Sequence, residues 1–325
     1  MDGFAPLTLG STVMGSTVTG STTMGRRRRL ASTIGCRGIG LHSGHTISMS
    51  LNPAPLGAGI VFHRTDLGLA IPARHDFVVE TRLCTQIGLP NNPAARVGTI
   101  EHVMAALAAA GIDDCVIELN GPEVPILDGS AAPFLFLIEC AGVIEQFAAR
   151  RTIEVLRPVR VEDDHGAWAE LAPNPEMAFD AELTIDFGET AIGRQSMALR
   201  VSLESFRTEL ADSRTFTLAD DVARLRAAGL AQGGSLANAV VVDGPMILNP
   251  GGLRSPTEFV RHKLLDVVGD LALAGAPIAA RFTGHRSGHA LNNMLLRAMF
   301  SDRRNWRHAG GHALSDADHT KLVAA

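Results

Sequence analysis

The sequence predicts an α+β fold of two domains with a functional site between them. Segments that alternate as strands do are interleaved with segments of helical periodicity. The 325 residues, 46% of them hydrophobic, suffice for two domains of roughly 120 to 170 residues each. We expect the boundary at Arg150-Arg151, after a helix that ends near Gly142. Candidate site residues lie on both sides of it, which is why we expect the site between the domains.

The individual elements follow from these two patterns. Alternation of apolar and polar residues predicts strands over residues 46–51, 60–63, 115–119, 178–187 and 238–242. Helical periodicity predicts helices over residues 99–110, 131–141, 218–229 and 256–274. The boundary then separates an N-terminal α+β domain over residues 29–150 from a C-terminal α+β domain over residues 151–325.

Residues 1–28 form an extension that we expect to be disordered. A near-repeat of glycine, serine and threonine runs into four arginines that begin at Arg26, and this composition cannot build a core. A start codon assigned too early, with Met14 or Met24 as the true start, would account for it. The arginines would alternatively bind anionic lipid or nucleic acid, but the formal net charge of -5 gives that no general support. We expect no nucleic-acid partner.

Cysteine usage and hydropathy indicate the compartment. The four cysteines show no close paired spacing, which argues against a disulfide framework or a zinc knuckle and favours a reducing compartment. No apolar run reaches the roughly 18 residues needed to span a bilayer, and the chain does not start with a basic segment followed by an apolar core. We therefore expect a cytoplasmic protein, a monomer, without a transmembrane segment.

The helix predicted over residues 256–274 carries three ionisable residues on one face. Ser255 to Glu258 reads as a capping box with proline at the first helical position, and Gly275 is expected to end the helix. His262, Asp266 and Asp270 then follow one another at intervals of four, so His262 and Asp266 can hold one cation. A solvated polar stripe, or a hydrogen-bonded pair on the helix surface, is the alternative interpretation.

The helix predicted over residues 99–110 begins with an acid and a histidine side by side. Thr99 is a plausible N-cap. Glu101 and His102 point about 100° apart. One of them can ligate a metal while its neighbour stands beside an open coordination position, as expected of a base glutamate and a ligand histidine. An exposed glutamate beside a buried histidine would also explain this segment.

Two further segments combine glycines, hydroxyls and charge. The segment 284–289 reads as a glycine-rich turn that contains His285 and His289 and leads into an apolar helix over residues 291–300. Loop histidines without partners would look the same. The segment 212–216 offers a hydroxyl and a guanidinium that could serve an oxyanion and a phosphate, although an ordinary polar turn explains it equally well.

These motifs occur in the order found in a known family. Together with the stretches 38–44, 117–130 and 233–235, they make residues 29–307 resemble UDP-3-O-acyl-N-acetylglucosamine deacetylase, the metal-dependent amidase of lipid A biosynthesis in Gram-negative bacteria. The resemblance implies two halves of similar layered sheet-and-helix topology, although no internal sequence repeat is evident. It also implies a small-molecule substrate, an acylated UDP-amino sugar, from which the acetamide is hydrolysed to give UDP-3-O-acyl-glucosamine and acetate.

The resemblance assigns the metal and the general base. His102, His262 and Asp266 would hold one zinc ion and leave a position for water, although the same ligands accept ferrous iron. Glu101 would take a proton from that water as it attacks the acetamide carbonyl. The metal and the Thr215 hydroxyl would stabilise the oxyanion.

The resemblance also assigns a general acid, which an amine leaving group requires. His289 would protonate the amine, with Asp270 orienting it and favouring its charged form. His285 is the rival for this role. It stands at a position where the family pattern has no histidine that we would expect, so the sequence leaves the choice between His289 and His285 open.

Three further assignments concern substrate binding. Lys263 would bind the diphosphate; the chain has only one other lysine, Lys321, against twenty-seven arginines, although a solvated helix lysine is the alternative. Phe216 would pack on the sugar ring, and Cys84 would lie near the metal without binding it. A strand, helix and strand insertion over residues 215–242 would wall a passage for the acyl chain. Its candidate lining, which plain core packing would explain equally well, is Leu218, Val222, Leu225 and Leu230.

Two rivals from other classes remain. The chain would be an amidase for another nucleotide sugar or acylated amine if a substrate without the acyl chain reacted equally well. It would be a catalytically silent binding protein with an arginine-rich arm if nucleic-acid binding were lost on deletion of residues 1–29.

Overall fold

The computed structural model describes residues 25–310 and confirms the α+β fold. The elements before residue 150 are ten strands and two helices. The strands are β1 (Arg26–Leu30), β2 (Ile34–Ile39), β3 (Thr46–Pro53), β4 (Ile60–Arg64), β5 (Leu69–Pro72), β6 (Val78–Glu80), β7 (Gln86–Leu89), β8 (Asn92–Val97), β9 (Cys115–Leu119) and β10 (Val143–Ala149). The helices are α1 (Glu101–Ala110) and α2 (Ala132–Ala141).

The elements after residue 150 are ten strands and four helices. The strands are β11 (Thr152–Val155), β12 (Val159–Glu162), β13 (Trp168–Ala172), β14 (Phe179–Asp186), β15 (Arg194–Arg200), β16 (Phe216–Leu218), β17 (Val240–Asp243), β18 (Met246–Ile247), β19 (Ile278–His285) and β20 (Trp306–Ala309). The helices are α3 (Leu203–Ser205), α4 (Ala219–Ala227), α5 (Glu258–Leu271) and α6 (His289–Phe300).

The two halves share one topology, as the resemblance implied. In the first half, β9 lies between β3, to which it is antiparallel, and β4, to which it is parallel, and each neighbour forms a hairpin with β2 or β5. In the second half, β19 lies in the same way between the hairpins β12-β13 and β14-β15. In both halves a helix precedes the central strand and another follows it. The sequence carries no matching repeat, so the similarity lies in pairing order and not in residues.

Helices α1 and α5, which precede the two central strands, pack directly on each other. The two backbones come close at Gly269, where a Cβ atom would lie 2.0 Å from the backbone oxygen of Glu101. Alanines fill much of α1, and its side chains from Glu101 to Leu107 are buried. Small residues therefore let the backbones of the two helices approach closely, and this approach determines where their polar side chains meet.

The extension is shorter than predicted. Arg26 to Leu30 form β1, antiparallel to β10, so the expected limit at residue 28 is wrong; the rest of the predicted extension, residues 1–24, lies outside the described residues. The guanidinium of Arg27 donates to both carboxylate oxygens of Asp114, at 3.0 and 2.7 Å. The Arg28 N–H donates to Asp113. These arginines are ordered because buried or half-buried carboxylates bind them.

The capping residues predicted for the starts of α1 and α5 were wrong, because neither helix has a side-chain cap. Thr99 has a positive φ of 54°, and its hydroxyl donates to Glu123 at 2.9 Å instead of capping α1. Glu258 forms no capping box; it accepts hydrogen bonds from Arg214 and from the Arg254 N–H. A short 3-10 turn follows α5, and Gly275 then ends it as predicted, with φ of 80°.

The remaining predicted elements are present with small shifts. The five predicted strands correspond to β3, β4, β9, β14 and β17, and the four predicted helices correspond to α1, α2, α4 and α5. His285 is the last residue of β19, and α6 begins at His289, two residues before the predicted start. None of the helices within residues 25–310 is long and apolar enough to cross a membrane. The four cysteines are free thiols.

Substitution of Gly269 by alanine tests the α1–α5 contact. A new methyl group would overlap the backbone oxygen of Glu101, and overpacking of a core costs about 1 to 3 kcal/mol. We expect a loss of about 2 kcal/mol or more in the free energy of unfolding, measured by urea denaturation. Gly251→Ala is the control, because a Cβ atom there meets nothing within 4 Å. Equal stability of the two variants would contradict the tight contact.

Candidate metal centre and active site

The start of α1 and the middle of α5 bring His102, His262 and Asp266 together. All three are buried, and one donor atom from each lies within 4.8 Å of the others. The Oδ1 atom of Asp266 is 3.4 Å from Nε2 of His262 and 3.7 Å from Nε2 of His102. Two residues of this group belong to one helix face, as predicted, and the third comes from the other half of the chain.

The group fits a bound cation. Asp266 Oδ1 is buried and has no hydrogen-bond partner within residues 25–310, a rare condition for a carboxylate oxygen. Burial lowers the pKa of His102 to about 3 and also lowers the pKa of His262, so both rings are neutral and present lone pairs. Burial opposes the charge of Asp266, but attraction to His262 whenever that ring is protonated, and to the Lys263 ammonium, outweighs burial and lowers the pKa of Asp266. An anionic oxygen beside two neutral nitrogens is the ligand set of a zinc or iron site.

Neighbouring groups orient these candidate ligands. His262 Nδ1 lies 3.0 Å from the backbone oxygen of Ser213, so the Nδ1–H tautomer donates there and Nε2 keeps its lone pair. Lys263 Nζ donates to Asp266 Oδ2 at 2.7 Å. His102 Nδ1 is buried without such a partner within the described part of the chain. Two of the three side chains are therefore held in place before any ion binds.

Glu101 lies beside this group and is itself buried, with 4% exposure. Its Oε2 accepts a hydrogen bond of 3.0 Å from the Thr85 N–H. Burial raises the pKa of Glu101 to about 8, with Asp266 and Asp270 adding to the rise and His289 opposing it. A carboxylate with a pKa in this range can accept a proton and release it near neutral pH.

His289, the first residue of α6, faces the same group. Its Nε2 is 3.9 Å from Glu101 Oε1 and 3.9 Å from Asp266 Oδ2. Its Nδ1 is 2.8 Å from Asp270 Oδ2, to which it donates. Burial favours the neutral ring, but attraction to Asp270 outweighs it and raises the pKa of His289 to about 9. His285 is half-buried in β19 and does not line the cavity described next, so His289, and not His285, lies beside the candidate ligands.

A cavity of about 530 Å³ opens on the site. Its wall includes Glu101, His102, His262, Lys263, Asp266 and His289. Cys84, Thr215 and Phe216 also line it, as do Arg82 and Arg224. The sequence-predicted residues are thus brought together, except that Asp270 lies behind His289. The cavity offers both a cationic rim and an apolar wall to a ligand.

The predicted insertion forms part of the apolar wall. It consists of β16, α4 and β17, with β16 parallel to β17. Leu218, Leu225 and Leu230 line the cavity, whereas Val222 does not. No side chain of α4 is fully buried, so plain core packing does not explain Leu225.

Phe216, the first residue of β16 in the insertion, lies near the candidate ligand His262. Its ring packs edge-on against Phe259, with ring centroids 5.0 Å apart, and lies 6.2 Å from the ring of His262. The N–H of Thr215 donates to Gly129, and the N–H of Val240 donates to Thr215. These bonds fix Thr215 and Phe216 in the wall of the cavity.

Several site residues were not identified from the sequence. Thr85 and Asn292 both donate to Asp270. Two adjacent amides in an apolar helix, Asn292 and Asn293, are a signal that could have indicated a buried polar network. Glu123 accepts from the backbone N–H groups of His42 and Ser43 and from Thr99. No local pattern marks Thr85 or Glu123, because their partners are distant in sequence.

Comparison with known proteins identifies the family to which this chain is similar. A family model described as UDP-3-O-acyl N-acetylglycosamine deacetylase matches residues 27–301. The UDP-3-O-acyl-N-acetylglucosamine deacetylase of Anaeromyxobacter sp. (strain Fw109-5) is 48% identical over 276 residues, 85% of this chain and 89% of that protein. The protein of the same name from Shewanella frigidimarina (strain NCIMB 400) is 45% identical over 282 residues, 86% of this chain and 91% of that protein.

A third relative of that name, from Acidithiobacillus ferrooxidans (strain ATCC 53993 / BNL-5-31), is 48% identical over 285 residues, 86% of this chain and 92% of that protein. The matched region of the family model contains all the candidate ligands, together with Glu101 and His289. The chain therefore belongs to the UDP-3-O-acyl-N-acetylglucosamine deacetylase family.

Proposed function

We propose that this chain hydrolyses the acetamide of UDP-3-O-acyl-N-acetylglucosamine with the help of one zinc ion, releasing acetate and UDP-3-O-acyl-glucosamine. The observation that carries the proposal is the buried Asp266 Oδ1, which has no hydrogen-bond partner within residues 25–310 and lies beside two neutral imidazoles. The names of the relatives support the substrate. Ferrous iron fits the same ligands.

His102, His262 and Asp266 would hold the ion. When bound, it supplies Lewis-acid chemistry, because a divalent cation polarises an amide carbonyl and lowers the pKa of water. Asp266 stays anionic in this role because Lys263 donates to its other oxygen. Two neutral ligands and one anionic ligand leave a net positive charge on a zinc site, which favours a developing oxyanion.

Glu101 and His289 would transfer the protons. Glu101 takes a proton from the attacking water, and the Thr215 hydroxyl in the cavity wall donates to the oxyanion that forms at the amide carbon. His289, charged because Asp270 raises its pKa, gives a proton to the departing amine nitrogen. Since Glu101 Oε1 and His289 Nε2 are 3.9 Å apart, both can reach one amide group.

The rest of the cavity would bind the substrate. Lys263 lines the cavity and has three N–H donors, of which Asp266 takes one. An ammonium in this place suits the diphosphate, and Phe216 offers a ring face for the sugar. The leucines of the insertion offer an apolar wall to the acyl chain.

Removal and replacement of the metal tests reaction, substrate and cofactor together. Metal-stripped protein should be inactive towards UDP-3-O-acyl-N-acetylglucosamine, and one equivalent of zinc should restore acetate release. A substrate without the acyl chain should react far more slowly. No reaction in a folded protein that binds zinc would point to a different amide substrate.

Two substitutions separate the ligand role from the base role. Glu101→Ala should keep one equivalent of zinc and lower kcat by about 10² to 10⁴-fold, because the general base is lost. His262→Ala should lose the zinc itself. Zinc content by atomic absorption and kcat by acetate release are the measurements. Equal loss of zinc in both variants would contradict this division of roles.

The pH dependence of kcat tests the general acid. Activity requires ionised Glu101, so it should fall as pH drops through about 8, and it requires protonated His289, so it should fall as pH rises through about 9. His289→Gln should lower kcat and remove the basic limb of the profile. His285→Gln is the matched control and should keep both limbs. A basic limb that persists without His289 but is lost without His285 would reverse the assignment.

A further inference from the structure

Thr85 lies just before β7 and bonds to α1 and α5, the two helices that carry the candidate metal ligands. It is buried, with 1% exposure. Its N–H donates to Glu101 Oε2 at 3.0 Å, its hydroxyl donates to Asp270 Oδ1 at 2.5 Å, and its carbonyl accepts from the N–H of Ile100 at 3.4 Å. Each of its polar groups is thus bonded to α5, to α1 or to the residue before α1. Its neighbour Cys84 lines the cavity, whereas Thr85 does not.

The hydroxyl of Thr85 completes the hydrogen bonding of Asp270. The Oδ2 atom of Asp270 accepts from His289 and from Asn292, each at 2.8 Å. Ser287 donates to Asn292 Oδ1, which turns the amide so that its NH₂ group faces Asp270. Thr85 is the side-chain donor to Oδ1. Without it, the carboxylate of Asp270, a residue that is 2% exposed, would lose a charge-assisted hydrogen bond and its fixed orientation.

We propose that Thr85 is a positioning residue that holds the general base and the partner of the general acid in one geometry. It holds Glu101 through its backbone N–H and His289 through the hydroxyl bond to Asp270. The inference rests on the proposed function. Its basis is that Glu101 and His289 come from different helices. Thr85 bonds to the carboxylate of Glu101 and to the carboxylate of Asp270, which in turn binds His289.

A threonine suits this position because its two contacts use different parts of the residue. The bond to Glu101 comes from the backbone and survives any substitution other than proline. The bond to Asp270 comes from the hydroxyl, which serine retains and valine lacks at nearly the same volume. The pair Thr85→Val and Thr85→Ser therefore isolates the bond to Asp270.

The expected effect of Thr85→Val is a 10 to 100-fold loss in kcat, about the range seen when outer partners of catalytic or ligating groups are removed. KM should change by less than about threefold, because Thr85 does not touch the cavity, and zinc should still bind at one equivalent. Thr85→Ser should restore kcat to within about threefold of the wild-type value. If Thr85 had a role in folding alone, Thr85→Val would lower the zinc content and raise KM together. This result would overturn the proposal.

A double-mutant cycle with His289→Gln shows whether Thr85 acts through His289. If it does, Thr85→Val should cost less than about threefold in kcat once His289 has been replaced, because the two residues act as a unit. A full additional loss in the double variant would overturn the proposal. The proposal would also be overturned if Thr85→Ser had as low a kcat as Thr85→Val, or if Thr85→Val had the kcat of the wild-type protein.

The zinc-loaded wild-type protein separates this inference from the proposed function. If it does not release acetate from UDP-3-O-acyl-N-acetylglucosamine, the proposed function fails and the inference fails with it. If the wild-type protein is active and the Thr85 variants are indistinguishable from it, only the inference fails.

Discussion

The close contact of α1 with α5 is the constraint on which the site depends. Only a glycine at position 269 lets the two helices come so near, since a Cβ atom would overlap the backbone of Glu101. Each helix precedes the central strand of its own half, so the repeated topology presents both helices to each other. The contact places Glu101 and His102 beside His262 and Asp266, which no single helix could arrange.

The site concentrates opposing charges on buried side chains in the wall of the cavity. Burial raises the pKa of Glu101 to about 8 and lowers the pKa of His102 to about 3. Attraction to Asp270 reverses the effect of burial at His289, whose pKa rises to about 9. One environment thus shifts three pKa values in different directions because each group has different neighbours, and these shifts suit the proton acceptor, neutral ligand and proton donor that we propose.

Helices and strands whose apolar residues follow a regular period could be predicted from the sequence. Strands that form only because a neighbouring strand pairs with them could not. β9 and α2 were predicted nearly to the residue because their apolar side chains follow the period of strand or helix. β15 was missed since none of its residues is buried and its pairing comes from β14. β1 consists mainly of arginines, and it is a strand because β10 pairs with it and Asp114 binds Arg27.

The sequence by itself determined the α+β class through its periodicity and the family through the order of its motifs, and the resemblance to that family implied the candidate ligands. His262 and Asp266 lie on one face of any helix that contains them. Only the tertiary structure placed His289, and not His285, beside the candidate ligands, and only it showed that Glu123 binds the Thr99 hydroxyl. It alone revealed Thr85, whose partner Asp270 is 185 residues away in the chain. Such contacts carry no local pattern, since they arise only when distant segments pack together.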